Sequence, residues 1–591
     1  VNAPEPYYRE VAECNLARAG RLRQRYGRLA LLRLLAFFAV VAGLILAWSV
    51  GIWAGTVATL VVLPLAALGI RYHAAIGREG ARAQVQAELA NGELQALGHE
   101  FAHHPNGDRY RDPAHPYATD LDIFGPYSLY QFLNRCSTAV GHDLLADQLR
   151  YPASNEEAEQ RVKEGQKLAR DPDWCLHFRT LGRELSDDPA YAARLRKWIR
   201  EPAITSGAYV TVMRWGAPLL TIAGLWFCFT QQPWQLGLLF FVPAFLLLRR
   251  YREAADRAHA YTAAAGKLLN GYADLFALID RRYPHHGPPA SRAIGKLSYL
   301  ISQLDVRYNP FVFLLEISGI WSLQWLRELD RWRERHRRDL PHWLDTLAEV
   351  DARISWATLR FNQPEWTDAV LTGEAVLEGD GLGHPLLPPA GRVTNDISIA
   401  TDGHIHLVTG SNMAGKSTWL RTVGINLVLA RAGAPVCARH LRTAALSVWT
   451  SMRTQDDLSE STSSFFAELK RLKAIIQAVK DPEHSVFFLL DEILKGTNSR
   501  DRHTGARALI RQLIREKGAG IIATHDLELA SLENEAGSRV ENYAMEVRTR
   551  GDELYFDYKL HRGVSRSFNA TVLMARMGIE IDPRDISLTH P

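Results

Sequence analysis

Two long uncharged stretches interrupt a chain that otherwise mixes apolar and polar positions. The first runs from Leu34 to Ile70, breaks near Ser49-Val50-Gly51 and carries Pro64 in its second half. One helix needs about twenty apolar residues to cross a bilayer. The length therefore predicts two short spans and a tight turn, over 31–49 and 52–70. The second stretch is a pair of apolar runs, Trp215–Thr230 and Gln235–Leu248, separated by Gln231-Gln232-Pro233-Trp234. It predicts a second hairpin. Its spans are short and Pro243 interrupts the second, so hydrophobic mismatch or a half-buried helix stays open there. A buried core hairpin is the alternative for both pairs, although few soluble helices are apolar all round.

Charge then orients these hairpins. Arg18, Arg21, Arg23, Arg25, Arg28 and Arg33 precede the first, and Arg71 closes it. Arg194, Arg196, Lys197, Arg200 and Arg214 lead into the second, and Arg249, Arg250 and Arg252 follow it. Basic flanks mark the cytoplasmic side, so the ends of both hairpins are expected there. A signal peptide would have a single, shorter apolar core.

The remaining segments read as follows. Residues 73–117 are polar and end in a Pro/His/Asp-rich linker. They contain His99-Glu100-Phe101-Ala102-His103, which fits a zinc-protease helix pattern. Gly98 before it and His104-Pro105-Asn106-Gly107 after it end any helix, so solvated linker histidines are the expectation. Residues 118–207 and 250–360 have helical, amphipathic patterning. Phe311–Leu326 reads as a core helix. Arg327–Arg338 is a charge run, either a solvated helix face or a phosphate-binding stripe.

The chemistry concentrates further on. Gly410-Ser411-Asn412-Met413-Ala414-Gly415-Lys416-Ser417-Thr418 fits G-x-x-x-x-G-K-[ST], the phosphate-binding loop. The run His404–Val408 before it reads as a strand, and Trp419–Ala430 after it as a helix. The glycines let backbone N–H groups turn towards phosphates, and the helix N-terminus adds its positive end. Lys416 is expected to reach the β/γ-phosphates and Ser417 to hold Mg²⁺. Val486-Phe487-Phe488-Leu489-Leu490 reads as a strand buried on both faces. It ends in Asp491-Glu492, which places one carboxylate beside the metal and the next as general base.

These residues also carry a family resemblance. The loop 410–418, the segment Asp491-Glu492-Ile493-Leu494-Lys495-Gly496-Thr497-Asn498-Ser499-Arg500-Asp501-Arg502, and Ala523-Thr524-His525-Asp526 resemble the ATPase domain of the MutS family. Asp456-Asp457-Leu458 with Ser463-Ser464-Phe465-Phe466-Ala467-Glu468 is similar to that family's signature segment. The likeness extends to Tyr558-Lys559-Leu560 and Gly563-Val564-Ser565-Arg566-Ser567-Phe568. It implies that Ser463 contacts the γ-phosphate of a partner subunit's nucleotide, that Asn498 and Ser499 face the dimer partner, and that His525 senses the γ-phosphate. It also implies ATP and Mg²⁺, a homodimer through the ATPase domains, and duplex DNA between the levers. Asp120-Leu121-Asp122-Ile123-Phe124-Gly125 and Ser128-Leu129-Tyr130-Gln131-Phe132-Leu133-Asn134 look like the start of the family's lever region. The family's mismatch reader uses a Phe-x-Glu near the N-terminus. Here that pattern occurs at Phe466-Ala467-Glu468, inside the signature segment, so mismatch reading itself is not expected. Where the family often has an aromatic against adenine, this chain has Arg392-Val393-Thr394-Asn395.

The expected fold is thus an α/β P-loop, ABC-type ATPase domain at the C-terminus. An all-α lever region interrupted by transmembrane hairpins precedes it. The expected boundaries are a basic segment (1–30), hairpin 1 (31–72), a polar linker (73–117), lever halves (118–207 and 250–360) around hairpin 2 (208–249), and the ATPase domain (361–591). The expected location is the inner, cytoplasmic membrane with the other domains in the cytoplasm. The whole-chain charge of +4 does not by itself argue for nucleic acid. The scattered Cys14, Cys136, Cys175, Cys228 and Cys437 suit a reducing compartment. Two other function classes stay open: a nucleotide-driven membrane scaffold that binds a protein, and an ABC transporter. Against the latter, the signature reads Leu458-Ser459-Glu460-Ser461-Thr462.

Overall fold

The computed structural model describes residues 3–565 apart from 186–188, 204, 206, 231–232, 244, 247–248, 251–264, 285–288, 306–320, 412, 454–463, 483–484, 536 and 551–552. It is helical in its N-terminal part and carries mixed sheets in its C-terminal part.

The chain opens with two helices, α1 (Pro4–Val50) and α2 (Ile52–Leu97), joined at Gly51 and packed along each other. At 1.5 Å per residue each is about 70 Å long. Leu34, Phe37, Phe38, Ile45, Trp53 and Leu60 are exposed, and 0% of the most apolar window of α1 is covered by protein. The buried-core alternative therefore does not hold for this hairpin. Neither helix breaks where the sequence suggested boundaries, at 30/31 and 72/73. The supposed polar linker is helix as far as Leu97. The reason is an apolar face: Ile76, Ala83, Ala87 and Ala90 recur at helical spacing and are buried. Beyond Gly98, His99 has a left-handed φ of 69°. The segment His99–His103 is not helical, so its two histidines do not share a helix face.

A helical region follows, comprising α3 (Leu129–Leu133), α4 (Ala139–Arg150), α5 (Asn155–Ala169), α6 (Pro172–Arg183) and α7 (Pro189–Trp198). It resumes with α9 (Ala265–Arg282), α10 (Ala290–Asp305), α11 (Trp321–Arg335) and α12 (Asp339–Asn362). One apolar core joins the two halves, with Phe178, Leu195, Tyr272, Ile294, Leu329 and Leu347 among its members. Of the expected core helix Phe311–Leu326, residues 311–320 lie outside the described residues. The rest opens α11.

Between the halves, α8 (Ala208–Thr230) is long and apolar. The second arm begins as a 3₁₀ helix, Trp234–Phe241, rather than an α-helix. Glycine governs this approach. A Cβ on Gly237 would lie 2.4 Å from Cys228 Sγ, and one on Gly224 2.8 Å from Phe240 Cβ.

The C-terminal part contains β1 (Thr367–Asp368), β2 (Val370–Leu371), β3 (Val376–Leu382), β4 (Asn395–Ala400), β5 (Ile405–Thr409), α13 (Lys416–Ala432), β6 (Pro435–Val436), β7 (His440–Thr443) and β8 (Leu446–Ser451). There follow α14 (Ser464–Val479), β9 (Ser485–Asp491), α15 (Ser499–Arg515), β10 (Ala519–Thr524), β11 (Val540–Arg550) and β12 (Glu553–Arg562). The main sheet has six strands in the order β12-β11-β5-β10-β9-β8. Strands β11, β5, β10, β9 and β8 run parallel, and β12 is antiparallel to β11. Alternation along β9 explains the layering. Phe487 and Leu489 join α13 in one core, while Phe488 and Leu490 join α14 and α15 in another. A parallel sheet covered on both faces needs such continuous apolar strands.

Candidate nucleotide site

Parallel pairing brings the chemistry to one edge. Ala523 pairs with Val408 and with Asp491, so β5, β9 and β10 end side by side. Ligands bind at this edge in open α/β sheets. Gly410 leaves β5 there, Asp491-Glu492 leave β9, and His525 follows β10.

The loop between β5 and α13 is closed tightly. Gly415 has φ 97°, caps α13, and a Cβ on it would lie 2.8 Å from Tyr558 Cδ1. Gly410 has φ 150°, and its Cβ would lie against the Met545 carbonyl. Ala414 N donates to Ser411 O at 3.1 Å. Lys416, 2% exposed, donates to Gly410 O at 2.7 Å and Ser411 O at 2.9 Å. Burial pulls the Lys416 ammonium below the usual lysine value, against the opposing pull of Glu492 and Asp491. Ser417 Oγ donates to Asp491 Oδ2 at 2.5 Å. Met413 and Thr418 are exposed, and Asn412 lies outside the described residues.

The two acids differ. Burial pushes Asp491 up despite the Ser417 hydrogen bond. Burial also pushes Glu492 up, but Lys495, His525 and Lys416 outweigh it and hold the carboxyl below its usual value. Glu492 Oε2 lies 3.4 Å from Lys495 Nζ, and Oε1 lies 3.5 Å from His525 Nδ1. Its backbone is strained: Glu492 has φ 51° and Leu494 φ 61°, a region costly for residues with a Cβ. The Glu492 amide donates to Ala523 O at 2.9 Å, which fixes the turn to the neighbouring strand.

Other expected residues stand apart. Asn498 caps α15, accepting from the Asp501 amide at 2.9 Å. Asn498 and Ser499 are exposed. Ser463 and the rest of 454–463 lie outside the described residues. A cavity of about 400 Å³ opens beside the acids, with Asp491, Glu492, Lys495, Asp120, Glu468 and Arg471 among its lining residues.

One residue was missed as a site residue. Tyr558 lies against Gly415, has φ 53° and is 44% exposed. Its carbonyl accepts from Asn395 Nδ2 at 3.0 Å. The segment Arg392–Asn395, where no aromatic was found, thus helps to seat an aromatic from β12. In the sequence Tyr558 stands only as part of the likeness at Tyr558-Lys559-Leu560, with no role given to it.

The arginine run was read as either a solvated face or a phosphate stripe. Arg327 donates to Thr205 O at 2.8 Å, Arg331 pairs with Glu328 at 2.7 Å and Arg333 with Asp330 at 2.6 Å. These guanidinium groups are therefore engaged within the chain.

Comparison with known proteins gives the same region. Residues 406–579 match the family model of MutS domain V. The DNA mismatch repair protein MutS of Carboxydothermus hydrogenoformans is 31% identical over 236 residues, covering 39% of this chain and 28% of that protein. The MutS protein homolog 4 of Mus musculus is 30% identical over 263 residues, covering 41% and 26%. The DNA mismatch repair protein MutS 2 of Halobacterium salinarum is 32% identical over 225 residues, covering 37% and 25%. The chain thus spans about a quarter of the length of these curated relatives.

Proposed function

We propose, from the premise that this chain is a MutS family member through its C-terminal domain, that it is a membrane-anchored ATPase working as a homodimer. The observation that carries the reading is the pairing of Ser417 with Asp491 at 2.5 Å, with Glu492 next in sequence at the same sheet edge. The residues fit ATP and Mg²⁺. Gly410 and Gly415 give the loop turns that a residue with a Cβ would not fit, and the N-terminal end of α13 favours phosphate oxygens. Ser417 and Asp491 would hold Mg²⁺, and Lys416 would turn from its loop carbonyls to phosphate. Bound Mg²⁺ neutralises charge on the transferring phosphoryl group. Glu492, kept ionised by its cationic neighbours, orients and deprotonates water. Tyr558 offers a ring face for the base. Ser463, Asn498, Ser499 and His525 take the partner-facing and sensing roles that the family resemblance implies. The fold is of the P-loop, ABC type, with the ATPase domain over 361–591.

The exposed apolar band of α1 and α2 supports membrane anchoring, with α8 and the 3₁₀ arm as a second hairpin. The expected location is the inner membrane with lever and ATPase parts in the cytoplasm. Duplex DNA is the first choice of partner, since the relatives are named for DNA mismatch repair. One observation favours a protein-binding scaffold instead: three arginines of the run, Arg327, Arg331 and Arg333, are engaged within the chain.

Two measurements on the detergent-solubilised full chain test this. Mg²⁺-dependent ATP hydrolysis is expected in wild type and is lost in Lys416→Ala. Duplex-DNA binding is expected to weaken with salt and to respond to ATP only in wild type. Hydrolysis without DNA binding would move the scaffold reading to first place, and absence of hydrolysis would overturn the ATPase reading.

A further inference from the structure

The turn after β9 does not stand alone. Glu468, in the second turn of α14, accepts from the Leu494 amide and faces the Lys495 amide. One residue further along, Gly496 lies against Phe465 of the same helix. A Cβ there would fall 2.6 Å from Phe465 Cβ and 3.2 Å from Phe465 Cα. Two independent contacts, one polar and one steric, therefore seat residues 494–496 on α14. Glu492 lies between them and β9 and Leu494 is the first of them, and both are left-handed. A left-handed non-glycine backbone persists only where its surroundings over-determine it. The Glu492 amide bond to Ala523 fixes one end of the turn, and α14 fixes the other. Among the described residues Glu468 hydrogen-bonds the turn and not the nucleotide loop, so its action on the site runs through the turn.

We propose that Glu468 is a positioning residue for ATP hydrolysis: with the Gly496–Phe465 contact it ties α14 to the turn that aims Glu492. The proposal rests on the reading of Glu492 as the general base. Displacement of α14 then changes the aim of Glu492 while leaving the loop 410–418 in place. The tie acts on the chemical step and leaves nucleotide binding alone. Burial raises the Glu468 carboxyl above its usual value, against the pull of the Leu494 and Lys495 amides.

The test compares wild type, Glu468→Ala and Glu468→Gln in the detergent-solubilised full chain, measuring ATP affinity and single-turnover hydrolysis separately. Glu468→Ala is expected to slow hydrolysis by about tenfold to a hundredfold, the scale of a misplaced catalytic group. ATP affinity is expected to stay within about twofold, since only an interaction specific to the transition state is lost. Glu468→Gln keeps an oxygen acceptor for the Leu494 amide and is expected to restore most of the rate. Unchanged hydrolysis in Glu468→Ala overturns the proposal. So does a parallel loss of affinity and rate, or a loss that Glu468→Gln does not recover. Should Glu468→Ala fail to fold, Gly496→Ala probes the same tie from the other side. Slowed hydrolysis with ATP affinity retained supports the proposal, and an unchanged rate overturns it. A wild type without hydrolysis would instead remove the ATPase reading itself, so the two failures are distinct.

Discussion

Two glutamates show how differently this chain uses a carboxylate. Glu93, on α2, is 0% exposed. It accepts from Arg135 at 2.6 and 3.1 Å, from Asn362 at 2.8 Å, and pairs with Arg179 at 2.7 Å. Burial alone would raise its pKa, but Arg135 and Arg179 hold it well below the usual carboxylate range. Glu492 is half-buried on a strained backbone, with Lys495 and His525 at 3.4 and 3.5 Å. The first group is fully engaged and joins the base of the long hairpin to α4's approach, to α6 and to the end of α12. Tyr8 of α1 adds a bond to Asn362 at 2.9 Å in the same node. The second is loosely held. A satisfied buried charge fixes structure, whereas an under-coordinated one in a cleft is available for chemistry.

The largest expected effect breaks the first region. Glu93→Ala leaves two buried guanidinium groups without their carboxylate and is expected to cost about 3–5 kcal/mol of stability, read by denaturant unfolding. A smaller effect sharpens the contrast through pH. A carboxylate with a lowered folded pKa contributes stability that is complete above its unfolded value, near 4.5. That stability is lost as pH falls towards the folded value. Wild type is therefore expected to lose stability with acid below that point, and Glu93→Gln to show a shallower slope, as followed by melting temperature against pH. The smallest effect lies at the nucleotide edge. Tyr558→Ala is expected to weaken ATP and ADP alike by about two- to tenfold, the scale of one aromatic stacking contact, read by equilibrium binding. A large fall in stability there, or none in Glu93→Ala, would reverse the comparison.

What the sequence made legible follows the same division. The phosphate loop and Asp491-Glu492 are local patterns, and local patterns survive without tertiary knowledge. The exposed band of α1 was equally plain, because lack of charge over such a length has few readings. The node around Glu93 was not legible. Its partners Arg135 and Asn362 lie 42 and 269 residues away, and a charged residue in a polar stretch reads as solvated. The stretch 73–97 looked like a linker because its buried face is alanine, whose apolar signal is weak. The 3₁₀ start of the second arm depends on Gly224 and Gly237 meeting across the hairpin, which no single-strand pattern records. Tyr558 was hidden because its place beside Gly415 is set by the β11–β12 pairing and by Asn395.

The most direct test of the central claim is hydrolysis and ATP affinity in Glu492→Gln, measured side by side in the solubilised full chain. The geometry predicts turnover reduced by about a hundredfold or more, the scale of a lost general base, with ATP affinity retained. Turnover at the wild-type rate would contradict the assignment of Glu492, and with it the account of why that residue is held so loosely.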